Sequence, residues 1–274
     1  MKRFPFAAAL AAAVSIAAPA SAELLVAPTR VVLSPENRSA ELVLVNKSEE
    51  TAAFRLAIEN RRMRKDGSLE TADTTLPGEL FADDKVRFSP RQLVLEPGAR
   101  QVVRLLASSP STLADGEYRS HLRLMSAPVS AGRATTSGAG DGADNSLSIE
   151  LIAIRSITIP VILRKGALDA QVTLDAAALA EEAENRLVLR LSRKGARSTY
   201  GDLRLTIEGE DEPAWLVRGV AIYTPNTARE VVLALPEEVG ARLSGRSVRI
   251  AYVSTDASDP ETLGDLIAEL TVSL

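Results

Sequence analysis

No cysteine occurs anywhere in the 274 residues, which excludes disulfides, zinc–thiolate sites, thiol nucleophiles and dithiol redox motifs. Stability must come from packed cores alone. Histidine is nearly as scarce, with His121 the only one, and the chain has neither G-x-S-x-G nor H-E-x-x-H. A serine or metal hydrolase would have to be built without its usual signature. His121 falls on the polar phase of a predicted strand and is expected to face solvent. The carboxylate neighbours Asp83-Asp84 and Asp256/Asp259 sit in turn-like sequence and lack the order of a calcium loop. A two-carboxylate glycosidase is neither excluded nor suggested. We therefore nominate no catalytic residue, no metal ligand and no cofactor, and expect the chain not to be an enzyme. A formal net charge of -4 offers no basic field for nucleic acid or an anionic membrane. Tryptophan is also single, and Trp215 is expected to pack in a core.

Long apolar runs are missing except at the N-terminus, so no membrane insertion of the mature chain is expected. There, Lys2 and Arg3 precede an apolar stretch from Phe6 to Ala18, followed by Ala20-Ser21-Ala22. This reads as a signal peptide, residues 1–22, cut before Glu23. The mature protein is expected outside the cytoplasm.

What the chain does have is period-two alternation broken by turn clusters, the pattern of an all-β protein. Glu23 to Leu33 reads as one extended segment, followed by strands at Ala40–Asn46 and Ala52–Glu59. The basic run Arg61 to Lys65 ends at Asp66-Gly67 and reads as a solvated hairpin end. Val86 to Leu95, Gln101 to Leu106 and Glu117 to Met125 add further strands, at spacing that suits a β-sandwich. Ser126 to Ser146 is rich in Gly, Ala, Ser and Thr and reads as a mobile loop. Its Gly138, Gly140 and Gly142 have no strand before them or helix after them, so no phosphate cradle is expected.

The longest alternating stretch runs from Leu147 to Leu163. Its odd-numbered residues are apolar except Arg155, and at the usual rise it would extend about 55 Å. Such a strand is either bent or serves more than its own sheet. Arg164-Lys165-Gly166 reads as a hinge. Beyond it, seven strand candidates from Ala170 to Leu274 make a second sandwich, and Asp175 to Glu184 is read as loop.

Three features in order carry a family resemblance: Pro28-Thr29-Arg30-Val31; Leu95 to Leu105 (LEPGARQVVRL) followed by Glu117-Tyr118-Arg119; and the long strand closing in Ile159-Pro160-Val161-Ile162-Leu163-Arg164. Together they resemble the periplasmic chaperones of the chaperone–usher pathway, which assemble bacterial fimbriae. The resemblance covers essentially the whole mature chain and is most specific in its first half. It implies two immunoglobulin-like β-sandwich domains in an L-shaped arrangement, 23–165 and 166–274. It implies periplasmic localisation, fimbrial or pilus subunits and an outer-membrane usher as partners, and action without ATP or cofactor. A self-capping dimer is open.

The implied mechanism is donor-strand complementation, in which the strand 147–163 is lent to a subunit with Leu147, Ile149, Leu151 and Ala153 as donor residues. The family's basic pair, which grips the subunit's C-terminal carboxylate, has Arg30 as its first member. Its second is a lysine where this sequence has Pro160. Arg155 either substitutes for that lysine or marks a bulge and points to solvent. Arg104, Glu117, Arg164 and Asp256 match charged positions that brace the two domains. The alternatives are a secreted two-domain adhesion or structural module, or a carbohydrate hydrolase on a β-sandwich.

Overall fold

A computed structural model describes residues 24–108, 113–127, 155–179, 185–255 and 264–274. In the first half the strands are β1 (Leu24–Ala27), β2 (Val31–Leu33), β3 (Ser39–Asn46), β4 (Ala52–Glu59), β5 (Arg61–Met63) and β6 (Leu69–Thr71). They continue with β7 (Val86–Ser89), β8 (Gln92–Leu95), β9 (Arg100–Ala107), β10 (Gly116–Ala127) and β11 (Ser156–Lys165). Two sheets, ordered β1-β3-β9-β7 and β2-β11-β10-β4-β8, face each other, and β5-β6 is a separate hairpin. Leu33, Leu42, Leu44, Leu105, Leu122 and Leu163 fill the space between the sheets and are fully buried.

Two segments that read as single strands each divide between the sheets, both at a proline. Glu23 to Leu33 breaks around Pro28: β1 pairs antiparallel with β3, whereas β2 pairs parallel with β11. Val86 to Leu95 breaks at Pro90, so β7 joins β9 and β8 joins β4. Proline has no N–H for a ladder, so it suits the point where a chain leaves one sheet for the other. The crossing strands place Val26 and Leu33, and likewise Phe88 and Leu95, in the same core.

At the end of β3, Asn46 is fully buried. Its amide donates to the carbonyls of Glu50 (2.8 Å) and Leu95 (3.0 Å), and its oxygen accepts the Ser48 N–H (3.0 Å). It ties the end of β3 to the end of β8 in the opposite sheet.

The second half comprises β12 (Ala170–Leu179), β13 (Arg186–Gly195), β14 (Thr199–Ile207), β15 (Trp215–Ile222), β16 (Ala228–Ala234), β17 (Ser247–Ser254) and β18 (Leu266–Ser273). The sheets β12-β13-β16 and β15-β14-β17-β18 enclose Leu187, Leu189, Leu191, Leu205, Ile250 and Tyr252. Trp215 packs partly buried against this core. The protein is thus all-β, with two β-sandwich domains.

Two local readings are corrected. Residues 175–179 are strand and not loop, because β12 pairs with β13 through a register shift between Leu174 and Ala176. A run of small alanines carries too weak an alternation to show this in sequence. Between β16 and β17 lies a short helix, α1 (Glu237–Leu243), which follows Pro236 and has Glu237 and Glu238 in its first turn and Arg242 in its last. Those charges suit the helix dipole.

Replacing Asn46 by Ala is expected to lower stability by about 1–3 kcal/mol, because the carbonyls of Glu50 and Leu95 lose their donor. Denaturant unfolding checks this, with a shifted midpoint and unchanged slope as the expected result.

Candidate functional site

Alternation along β10 sends Tyr118, Leu122 and Leu124 into the first core. Glu117, Arg119, His121 and Arg123 consequently leave the sheet on its other face. The register with β11 sets Glu117 opposite Arg164, Arg119 opposite Ile162 and His121 opposite Pro160. Glu117, Arg119 and His121 are buried there, because the second domain covers this part of the face, whereas Arg123 is partly exposed.

Glu117 is the polar centre of that seam. Its side chain is 0% exposed against 24% for Arg164, whose Nε donates to it at 2.9 Å. The backbone N–H of Ser198, at the start of β14, donates to the same carboxylate at 3.1 Å. The Ser198 hydroxyl donates to its other oxygen, and Thr224 Oγ1 approaches that oxygen at 3.4 Å. One buried carboxylate is thereby shared between an arginine of its own sheet and the second domain. Of the four charges expected at the domain boundary, the structure brings Glu117 and Arg164 together.

Arg104 is elsewhere. It pairs with Glu41 at 3.1 Å on the outward face of β3 and β9, with both side chains exposed. That sheet is the one turned away from the seam, so the expectation for Arg104 is corrected. Asp256 lies outside the described residues, as do Leu147, Ile149, Leu151 and Ala153.

The β5–β6 hairpin forms the second part of the seam. Arg64 and Lys65 are exposed, as a solvated hairpin end requires, but Met63 is buried with Ile162, Ala221 and Tyr223. Asn226 Nδ2 donates to the Met63 carbonyl at 2.9 Å, and the Glu230 N–H donates to the Lys65 carbonyl at 2.7 Å. Gly67, at φ 85°, lies against the Arg229 guanidinium with no space for a Cβ. The basic run therefore docks on the second domain through its backbone and one methionine, which corrects the purely solvated reading.

Beside the Glu117 centre, basic groups gather around Tyr223, which is 5% exposed. The Arg119 guanidinium lies 4.4 Å from the ring centre and Arg30 lies 6.0 Å from it, while Arg30 also stacks 4.7 Å from the Tyr200 ring. The His121 ring meets Tyr223 edge-on at 6.3 Å. Arg119 donates to the Arg61 carbonyl at 3.1 Å. Among the described residues, the Nε atoms of Arg30 and Arg119 and both His121 nitrogens are buried without a hydrogen-bond partner.

Burial pulls Arg30 and Arg119 below the usual arginine range and pushes the Tyr223 hydroxyl above its usual value. It also drives His121 well below the ordinary imidazole value, with Arg119 and Arg61 acting in the same sense. The expectation that His121 is solvent-exposed is therefore corrected, since it is 0% exposed. Alternation shows that a side chain leaves one core, but not that a second domain lies above it. The nearby carboxylates are already engaged, Glu117 by Arg164 and Glu79 by Arg62, so the positive charge of Arg30 and Arg119 suits a further anion such as a carboxylate.

Arg30 is part of this group and Arg155 is not. Arg155 is exposed and precedes Pro160 by five residues, about 16 Å along a strand. It also has the alternation phase of the core-facing residues of β11, opposite to Pro160, and its backbone is paired with Ser126. The basic residue that accompanies Arg30 is Arg119. The signal available in sequence was that Arg119 shares its strand phase with Glu117.

The strand β11 has one further property. β2 pairs with it only over Val161–Leu163, so among the described residues Ser156–Pro160 have β10 on one side and no strand on the other. Ile157 is 37% exposed there.

No protein-family model and no curated protein matches the sequence. Chaperones are among the solved structures that resemble the fold. The E. coli chaperone DraB is 15% identical, with 92% of this chain covering 97% of that one at a TM-score of 0.45. The Pseudomonas aeruginosa CupB2 chaperone is 14% identical, with 91% covering 100% and a TM-score of 0.44. A CsuC–CsuE chaperone–tip adhesion subunit complex from the archaic chaperone–usher Csu pili of Acinetobacter baumannii is 10% identical, with 92% covering 97% and a TM-score of 0.47.

Two outcomes are expected from the seam. Replacing Glu117 by Ala leaves Arg164 and Ser198 without their shared acceptor, costs about 3–5 kcal/mol and lets the two domains unfold in separate steps, visible by calorimetry. Because His121 is held below its unfolded value of 6.5, its contribution is complete above that pH and is lost as the pH falls toward the folded value. Stability should decline below about pH 6.5 in the native protein. In His121→Gln that part of the decline should vanish, as read by denaturation midpoints across the pH range.

Proposed function

We propose that this protein is a periplasmic chaperone that binds fimbrial or pilus subunits by donor-strand complementation and delivers them to an outer-membrane usher. The observation that carries the reading is the edge of β11 upstream of its pairing with β2, which has no strand beside it among the described residues. A sandwich subunit that lacks a strand has an open groove and an unpaired ladder, both of which promote aggregation. A strand lent from another chain supplies the backbone hydrogen bonds and a row of apolar side chains. The period-two alternation of the sequence nominates Leu147, Ile149, Leu151 and Ala153 as that row. Full burial of each Leu or Ile contributes roughly 1.5–3 kcal/mol.

Arg30 supports the same reading. A buried guanidinium that stacks on tyrosine and whose Nε has no hydrogen-bond partner among the described residues is ready to bind a carboxylate, and a chain terminus provides one. In this role Arg119 accompanies it, and Arg155 does not. Glu117 and Arg164 keep the two domains in one relation, so that the anchor and the lent strand are presented together. Residues 1–22 act as the export signal, and the boundary between domains falls at 165/166. The chaperone works without ATP or cofactor, and binding is driven by apolar burial and strand pairing.

The test is recovery of partners from periplasmic extract by the native chain and by Ile149→Asp/Leu151→Asp. The native chain is expected to retain small secreted β-rich subunits, identified by mass spectrometry, and the double variant to lose them. Equal recovery by both baits, or none by either, would favour an adhesion or structural module. Arg30→Ala is expected to weaken retention by tenfold or more, the order of one charge-assisted hydrogen-bond pair.

A further inference from the structure

We infer that His121 is a second cationic group of the anion seat, taking up a proton from solvent when a carboxylate settles against Arg30 above Pro160. This rests on the anion-binding reading of the seam given above.

The geometry begins with register. β2 runs parallel to β11 with Val31 at Val161, so Arg30 stands level with Pro160. On the other side of β11, His121 is paired with Pro160. Both leave the sheet on the face covered by the second domain, as their contacts with Tyr223 show. Two basic side chains thus flank a proline in one cross-strand row. Pro160 is only partly buried, and it offers neither a charge nor an N–H. Whatever anion lies over it must be held from the flanks.

The second step is hydrogen bonding. His121 is fully enclosed, yet neither ring nitrogen has a partner. A buried imidazole usually satisfies at least one. Its removal from water is already complete in the folded protein, so an arriving acceptor gains a donor that needs no further dehydration. Arg30 is in the same condition, with its Nε buried and unpaired.

The third step is charge balance. The groups around His121 are Arg119 and Arg123 two residues either side on its own strand, Arg61 on β5, Glu59 opposite it on β4 and Tyr223 edge-on from the second domain, with Arg30 one strand further across β11. Glu59 is engaged by Arg61 at 2.5 Å and Arg123 at 3.4 Å. Glu117 is engaged by Arg164 and Ser198. Without an added anion, burial keeps the imidazole neutral, and Arg119 and Arg61 act in the same sense. One carboxylate changes that balance, and proton and carboxylate then bind with mutual assistance. By linkage, affinity for the carboxylate rises as the pH falls between the midpoints of the occupied and empty states, by at most tenfold per pH unit.

The single histidine makes the test direct. In the mature chain labelled at histidine, the imidazole resonances are titrated in sodium acetate and in sodium chloride of equal ionic strength. The expected result is a midpoint higher in acetate by about one unit, a tenfold change in proton affinity, with no rise in Arg30→Gln. Identical midpoints in the two salts for the native chain would overturn the inference without requiring any variant to fold. The two readings fail separately. Subunits retained from extract with no acetate effect leave the chaperone standing and remove His121 from its anchor. A raised midpoint with no subunit retained keeps the proton-linked seat and removes the chaperone reading.

Discussion

A single buried carboxylate holds the two halves of this protein in relation to each other. Glu117 is at the start of β10, opposite Arg164 near the end of β11, and it accepts hydrogen bonds from Ser198 in the second domain. A carboxylate removed from water is costly unless its oxygens are occupied. Here both oxygens are used, and the partners come from two domains. Separating the domains would leave Arg164 and Glu117 with only each other. The apolar contact of Met63 and Ile162 with Ala221 and Tyr223 extends the same seam. Directional hydrogen bonds fix its orientation, and apolar burial supplies its breadth.

β11 depends on that seam for its other uses. Its odd-numbered residues Ile159, Val161 and Leu163 belong to the first core. Its even-numbered Ile162 and Arg164 meet the second domain. Among the described residues its outer edge carries no strand over Ser156–Pro160, because β2 begins only at Val31. Pro28 marks the place where the chain leaves one sheet before entering the other, so the same break that closes the sandwich also sets where the edge begins. A strand that is firmly held at one end and open along its edge at the other is suited to pairing with a second chain.

The accumulation of arginine around two tyrosines is the least economical feature of the fold. Buried guanidinium nitrogens that lack an acceptor, as the Nε atoms of Arg30 and Arg119 do among the described residues, do not add to stability. Aromatic faces compensate in part, since Tyr200 and Tyr223 present negative π surface to Arg30 and Arg119. The remainder is an electrostatic demand for an anion, located where the first sheet, the hairpin and the second domain meet. A protein that kept this charge for stability alone would have been better served by apolar side chains.

Much of this was legible in the sequence. Absence of cysteine, alternation and turn chemistry point to two cystine-free sandwiches, and the shared strand phase of Glu117, Arg119 and His121 is visible by counting in twos. Local pattern determined which residues leave the first core, because side-chain direction in a strand has period two. It could not determine what those residues meet. His121 and Met63 look like surface residues until a second domain is placed over them. Arg104 resembles a brace until β9 is assigned to the sheet on the far side. Arg155 resembles an anchor until the register puts it on the wrong face and well behind Arg30. These outcomes depend on contacts between segments far apart in the chain, which are set by the packing of whole sheets rather than by any local window. Sequence alone determined the strands and their inward faces; tertiary structure decided which outward faces became a buried, charged seam.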